Sequence, residues 1–294
     1  MRAAGRPTSL IMGPWTHINY GGHIGQMNFG LAASADLMGF RGRRSDIETG
    51  WLKKQLSEEE PDGEGQESDL PPVLLFVMGG NQWREENEWP LARAVDTELY
   101  LHEHSHLSFE APNDAQEVDT FSYDPADPVP TTGRSLLMAE DFPAGPFDQA
   151  AVEARSDVLV YTSEPLADDL EVTGRIQASI FVTTDAPTTD WVVRLCDVGP
   201  DGVSRNIVDG IRRVQAAPDE YTEQHIDLWS TSYVFAAGHR LRLQVTSSNF
   251  PRWYRNLNTG TNGDATQMKT ARQRVAHDVT RPSRLVLPII PAKH

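Results

Sequence analysis

Apolar and polar positions follow two different rhythms along this chain. Leu10-Ile11-Met12 is a short apolar run that breaks at Gly13-Pro14 and is followed by Trp15-Thr16-His17. The pattern predicts a strand that delivers a histidine on the loop just beyond its end. Asn19 to Gly30 holds four glycines and predicts an irregular loop. From Leu31 to Leu56 the rhythm turns helical, with Leu31, Ala35, Met38, Ile47, Trp51 and Leu52 at three-to-four spacing, interrupted between Gly39 and Arg44. Ser45 with Glu48 predicts a capping box for the second helix. Val73 to Met78 is a continuous apolar run between Pro71-Pro72 and Gly79-Gly80, as expected of a strand buried on both faces.

After about Asp96 the texture changes. Strand-like runs recur between turn residues: Glu98–His102, Thr120–Tyr123, Asp157–Thr162, Leu170–Val182, Trp191–Val198, Ile207–Val214, Gln224–Leu228, Arg240–Ser247 and Arg284–Ile290. Leu241, Leu243 and Val245 alternate with Arg242, Gln244 and Thr246, the signature of a strand with one buried face. About nine strands and hardly a helix predict an antiparallel sandwich or jelly roll. The expected division is residues 1–92 and 93–294. Asn113–Pro130 and Phe250–Arg281 read as loops on the sandwich, the second with a short helix around Ala265–Val275, where Gln267, Lys269, Ala271 and Arg272 favour helix.

Composition adds exclusions. The 294 residues are 39% hydrophobic and 23% charged, and no apolar run approaches the eighteen or so residues that cross a bilayer. The N-terminus shows no long apolar leader, so a cytoplasmic product with no membrane association is expected. A net charge of −16 argues against nucleic acid as a partner. Glu58 to Asp69 contributes seven acids and no base, a solvated loop. The single Cys196 excludes an internal disulfide and a Cys-rich zinc site, and reads as a buried, inert thiol.

His17 is the candidate catalytic residue. In open α/β sheets chemistry collects at the carboxyl ends of strands, and an imidazole there is a natural general base. His102, His104 and His106 alternate and would share one face of a strand, but a solvated face suits them better than a metal site. Asp124 and Asp127, each before proline, are foremost turn devices. Asn249 to Tyr254 could form an aromatic platform for sugar, although a packing role is preferred.

Gly13-Pro14-Trp15-Thr16-His17 resembles the catalytic-histidine motif of the CocE/NonD hydrolases, serine esterases and acylases related to the X-Pro dipeptidyl-peptidases. The likeness continues through Leu75-Phe76-Val77-Met78-Gly79, Trp83-Arg84, Trp89-Pro90, Tyr123 to Pro130, Tyr161 to Leu166 and Val172-Thr173-Gly174. Later it includes Asp209-Gly210-Ile211, Gly238-His239-Arg240-Leu241 and Ser247 to Arg252. The resemblance implies a mainly β chain: the last portion of an α/β-hydrolase domain in residues 1–92, carrying the histidine loop, then a galactose-binding-like jelly roll in 93–294.

It also implies a Ser-His-Asp triad in which His17 stands last, with serine, acid and oxyanion hole upstream. No Gly-x-Ser-x-Gly turn occurs in these residues, and Met1 to Gly5 looks like an internal approach to the histidine strand. The expectation is therefore the C-terminal part of a serine hydrolase, inactive alone, that needs no cofactor and no metal. Its partners would be a small ester or amide substrate, a separate N-terminal hydrolase half and, through an unpaired strand edge, further copies of itself. Leu137 and Met138 match a family loop at the mouth of the active site and would supply apolar wall to the acyl group. The rival expectation is a non-catalytic sandwich that binds carbohydrate or protein.

Overall fold

The computed structural model describes residues 8–56, 70–133, 143–217, 219–260 and 267–292. Two bodies of very different size share the chain. The first contains β1 (Leu10–Met12), the two-residue strands β2 (His23–Ile24) and β3 (Met27–Asn28), α1 (Arg44–Leu56), β4 (Val73–Val77) and β5 (Gln82–Glu86). β1 runs parallel to β4, which pairs antiparallel with β5.

β4 is buried at every residue, which is why its run is apolar without alternation. Leu74 packs with Ile47 of α1 and Met38. Phe76 meets Ile24, Phe29 and Ala33. Val73, Leu75 and Val77 turn to Leu10, Met12, Trp89 and Val234. The expected first helix is instead a pair of single 3-10 turns, Leu31–Ala33 and Met38–Phe40, with Gly39 in the left-handed region. Helix α1 begins at Arg44, so Ser45 lies inside its first turn, and Glu48 pairs with Arg44 at 2.7 Å. The capping box is not formed.

The second body holds β6 (Val95–His102), β7 (His106–Ser108), β8 (Asp119–Tyr123), the one-turn α2 (Ala150–Glu153), β9 (Leu159–Ser163), β10 (Leu170–Thr184) and β11 (Thr188–Val198). It continues through β12 (Ser204–Gln215), β13 (Thr222–Phe235), β14 (Arg240–Thr246), β15 (Ala271–Ala276) and β16 (Arg284–Ile290). The hydrogen-bonded order is β12-β11-β14-β9-β7-β6-β16-β10-β15-β8, with β13 also on β10. β12 lies against β13, so the sheet rolls over on itself. It closes around one core that includes Trp191, Tyr161, Phe235, Leu243 and Leu285. The chain is mainly β, as expected.

Ala271–Ala276 is a strand between β10 and β8, so the helix expected around Ala265–Val275 does not form. Two ready strand edges outweigh a weak helical preference. Cys196 is fully buried, and burial pushes its thiol up to about 12, which makes it inert. No helix among the described residues is long and apolar enough to cross a membrane.

Candidate active site

The loop after β1 is built to be rigid. At Gly13 a Cβ would sit 2.6 Å from the Trp15 ring, so only glycine lets the chain turn there with the indole folded back. Trp15 donates from Nε1 to the Ala33 carbonyl at 2.8 Å and packs on Trp83, ring centres 5.7 Å apart. Pro14 is buried beside it. Thr16 and Asn19 close the turn, Thr16 N–H to the Asn19 carbonyl at 3.1 Å and Asn19 N–H to Thr16 Oγ1 at 3.0 Å. Tyr20 donates its hydroxyl to the His17 carbonyl at 2.9 Å. His17 is thus exposed on a fixed backbone, just past the carboxyl end of a parallel strand.

It stands on a cleft of about 700 Å³. One wall comes from the first body, with Met12, Phe29, Phe76 and Met78. The other comes from the sandwich, with Ile207, Val208, Trp229, Arg252 and Trp253. The two walls are stitched together at the end of β4. Met78 N–H donates to the Ser232 carbonyl at 3.0 Å, and Val234 N–H to the Met78 carbonyl at 2.8 Å. Gly79 follows with φ 79°, where a Cβ would meet the Val234 carbonyl oxygen at 2.2 Å. Arg84 of β5 then clamps Glu171 of β10 through two bonds of 2.7 and 2.6 Å.

The remaining candidates separate cleanly. Leu137 and Met138 lie outside the described residues. His102 ends β6 and His106 opens β7, their rings 6.1 Å apart, while His104 sits in the intervening turn at φ 59°. The three do not share one strand face, and no metal-binding cluster occurs among the described residues. Asp124 accepts from Ala126 N–H at 2.9 Å in an Asx turn, and Asp127 meets Arg155 at 3.2 Å. Trp253 lines the cleft with the Arg252 guanidinium over its ring at 4.4 Å, whereas Tyr254 is exposed.

The contribution of Trp229, Arg252 and Trp253 to the cleft is new relative to the sequence. Trp229 is displaced toward solvent where the register between β10 and β13 slips, a strand irregularity with no signature in the local residue pattern.

The chain is 36% identical over 302 residues to the cocaine esterase of Rhodococcus sp., an alignment that covers 96% of this chain and 51% of that protein. An aminopeptidase from a marine sediment archaeon of the Thaumarchaeota superposes with a TM-score of 0.85 at 28% identity, covering 98% of this chain and 50% of its own. An α-amino acid ester hydrolase gives a TM-score of 0.82 at 28% identity, covering 96% and 50%. The chain spans about half the length of these relatives. Residues 65–286 match the model of the X-Pro dipeptidyl-peptidase C-terminal non-catalytic domain. The chain belongs to that family and corresponds to the C-terminal part of a CocE/NonD-type hydrolase.

Proposed function

We propose that this chain supplies the general base and the sandwich wall of a serine hydrolase acting on small esters or amides. The observation that carries the reading is the placement of His17: exposed, on a backbone fixed by Trp15, Thr16 and Tyr20, at the rim of a mostly apolar cleft. In the assembled enzyme a nucleophile-bearing segment would present serine to His17 Nε2. As Oγ attacks the carbonyl carbon, its proton passes to the imidazole. The tetrahedral adduct collapses: the C=O re-forms, the bond from that carbon to the leaving oxygen or nitrogen breaks, and the same proton goes to the leaving group. Water then repeats the sequence on the acyl-serine, its proton taken by His17 and returned to serine.

The carboxylate that orients His17 and the donors of the oxyanion hole would come from that other segment too, as would the rest of the surface around the acyl group. Leu137 and Met138 are assigned to the acyl wall in this reading. No step calls for a metal or a cofactor.

The experiment is reconstitution. The 294-residue chain alone is expected to resist a fluorophosphonate probe and to hydrolyse p-nitrophenyl esters no faster than free imidazole. Co-expressed with the nucleophile-bearing segment of a CocE/NonD hydrolase, it should show saturable turnover. His17→Ala should then lower kcat by about ten-thousand-fold or more. Saturable hydrolysis by the chain alone, or reconstituted turnover indifferent to His17→Ala, would overturn the proposal.

A further inference from the structure

The cleft is electrostatically odd for a chain of net charge −16. Its described lining includes no aspartate or glutamate, and its one permanent charge is Arg252. That guanidinium is largely buried and approaches Asp209 Oδ1 at 3.3 Å. Asp209 is itself shared, because Arg194 Nε stands 3.8 Å from its other oxygen. Arg194 finds neutral partners beyond it, the side-chain oxygens of Gln149 at 3.0 Å and Gln244 at 2.6 Å. One carboxylate therefore faces two guanidiniums. Arg252 Nη1 is buried with no hydrogen-bond partner among the described residues. Burial draws the Arg252 pKa below its ordinary value, and Arg194 pushes the same way against the pull of Asp209. A buried cation in surplus is costly unless an anion answers it.

The apolar half of the argument is Trp229. It is 62% exposed, lines the same cleft and sits at φ 67°, a backbone region that large side chains rarely adopt. Asp227 Oδ1 accepts its N–H at 3.0 Å and helps hold that conformation. Strain of this kind persists only where the surroundings enforce it, and here it presents an indole to the cleft. Trp253 packs against the guanidinium, whose carbon lies 4.4 Å from the ring centre. Arg252 is fixed at its backbone as well, its N–H donating to Thr131 Oγ1 at 3.1 Å.

We propose that the sandwich wall of this cleft is a subsite for an aromatic monocarboxylate, with the carboxylate on Arg252 and the ring along Trp229. The inference rests on the hydrolase reading for its meaning: the preferred ester would carry a free carboxylate and an aromatic group on the portion that reaches this wall. Its binding does not depend on turnover.

The test is titration of the 294-residue chain with naphthalene-2-carboxylate and with naphthalene-2-carboxamide, followed by tryptophan and naphthalene fluorescence. The carboxylate should bind about tenfold tighter or more, the difference expected of one charge-assisted hydrogen-bonded contact. The overall negative charge of the chain works against this preference, so its appearance is specific to the site. Arg252→Gln should erase the preference and leave the amide unaffected, Arg252→Lys should keep part of it, and Trp229→Ala should weaken both ligands alike.

Equal affinity for the two ligands, or a preference that survives Arg252→Gln, would overturn the subsite. Should Arg252→Gln fail to fold, the Arg252 Nε–Hε resonance of the native chain decides instead. It must shift with the carboxylate and not with the amide. Absence of carboxylate binding alongside restored esterase turnover would remove the subsite and leave the hydrolase reading standing.

Discussion

β4 and β11 are both buried along almost their whole length, yet they are covered in different ways. β11 runs between two long antiparallel neighbours, β12 and β14, and contributes Trp191, Val193 and Leu195 to a core drawn from the whole rolled sheet. β4 has the three-residue β1 on one side, five-residue β5 on the other and a patchwork of small clusters above and below. All three residues of β1 remain half-buried, and among the described residues β1 pairs with β4 alone. The sandwich generates its own interior. The first body takes much of its order from the sandwich, through Met78 on Ser232 and Val234 and through Arg84 on Glu171. Strands that read equally well in sequence can thus differ in whether the surrounding chain completes them.

The largest expected effect comes from separating the two. Residues 93–294 should fold alone with a cooperative thermal transition, because a sheet closed on itself buries its own inner faces. Residues 1–92 alone should show none. A non-cooperative 93–294 would break the comparison at its root, since the sandwich would then need the first body as much as the reverse.

Within the whole chain the contrast should appear in single substitutions. Leu243→Ala, in the sandwich core, should cost about 3–5 kcal/mol in urea denaturation. Ile11→Ala on β1 removes a side chain that is only half-buried, and should cost about 1 kcal/mol. Comparable costs at the two sites would show that β1 is held as firmly as the sandwich.

The junction should fall between those two sites, and be sensitive to acid. Arg84→Ala removes the clamp on Glu171 and a contact to Glu86, and should cost about 2 kcal/mol. Glu86 is held below the usual carboxylate range by the hydrogen bonds of Arg93, with burial opposing and Arg84 adding to the pull. A depressed folded pKa means that this stabilisation is fully present above the ordinary value of 4.5 and is lost as pH falls below it, through the lower folded value. Glu86→Gln should therefore flatten part of the acid-induced loss of stability below that pH. A profile unchanged by the substitution would show that the junction does not carry this linkage.

How much of this could be read from residues alone varies with the range of the forces involved. The buried run Val73–Met78 announced β4 because burial on both faces leaves no room for polar alternation. The alternation in Leu241 to Thr246 announced β14 for the converse reason. Ser45 with Glu48, and the helical preferences around Ala271, misled because both are weak local signals, the first overruled by a neighbour on the same helix and the second by partners far off in the chain. Arg44 captured Glu48, and the edges of β10 and β8 captured β15. The form of the His17 loop was legible from its wording, which packs a turn, an anchor and an exposed imidazole into a few residues. The opposite wall was not. Trp229 reaches the cleft through a register slip against β10, and the charge of Arg252 is left in surplus by Asp209 and Arg194, residues on β12 and β11. Asn249 to Tyr254 read as packing, and nothing in that segment reveals which carboxylate it must share.

The smallest effect is expected at the residue with the largest proposed role. Two histidines make the contrast. His277 is fully buried, with Nδ1 3.0 Å from Gln116 Oε1 and Nε2 2.9 Å from Asp119 Oδ2, an oxygen that also accepts from the Tyr161 hydroxyl. His277→Ala would open a hole beside Tyr161 and strand polar groups inside the sandwich, at a cost on the order of 2–3 kcal/mol. The contacts that fix the His17 loop all come from its neighbours and its own backbone, and its side chain is exposed. His17→Ala should leave the midpoint of denaturation within about 0.5 kcal/mol of the native chain. A side chain that the fold does not need, on a loop the fold works to hold still, is placed for something other than stability. If His17→Ala destabilised the chain as much as His277→Ala, the imidazole would be a structural element, and its claim to be the general base would lose its physical ground.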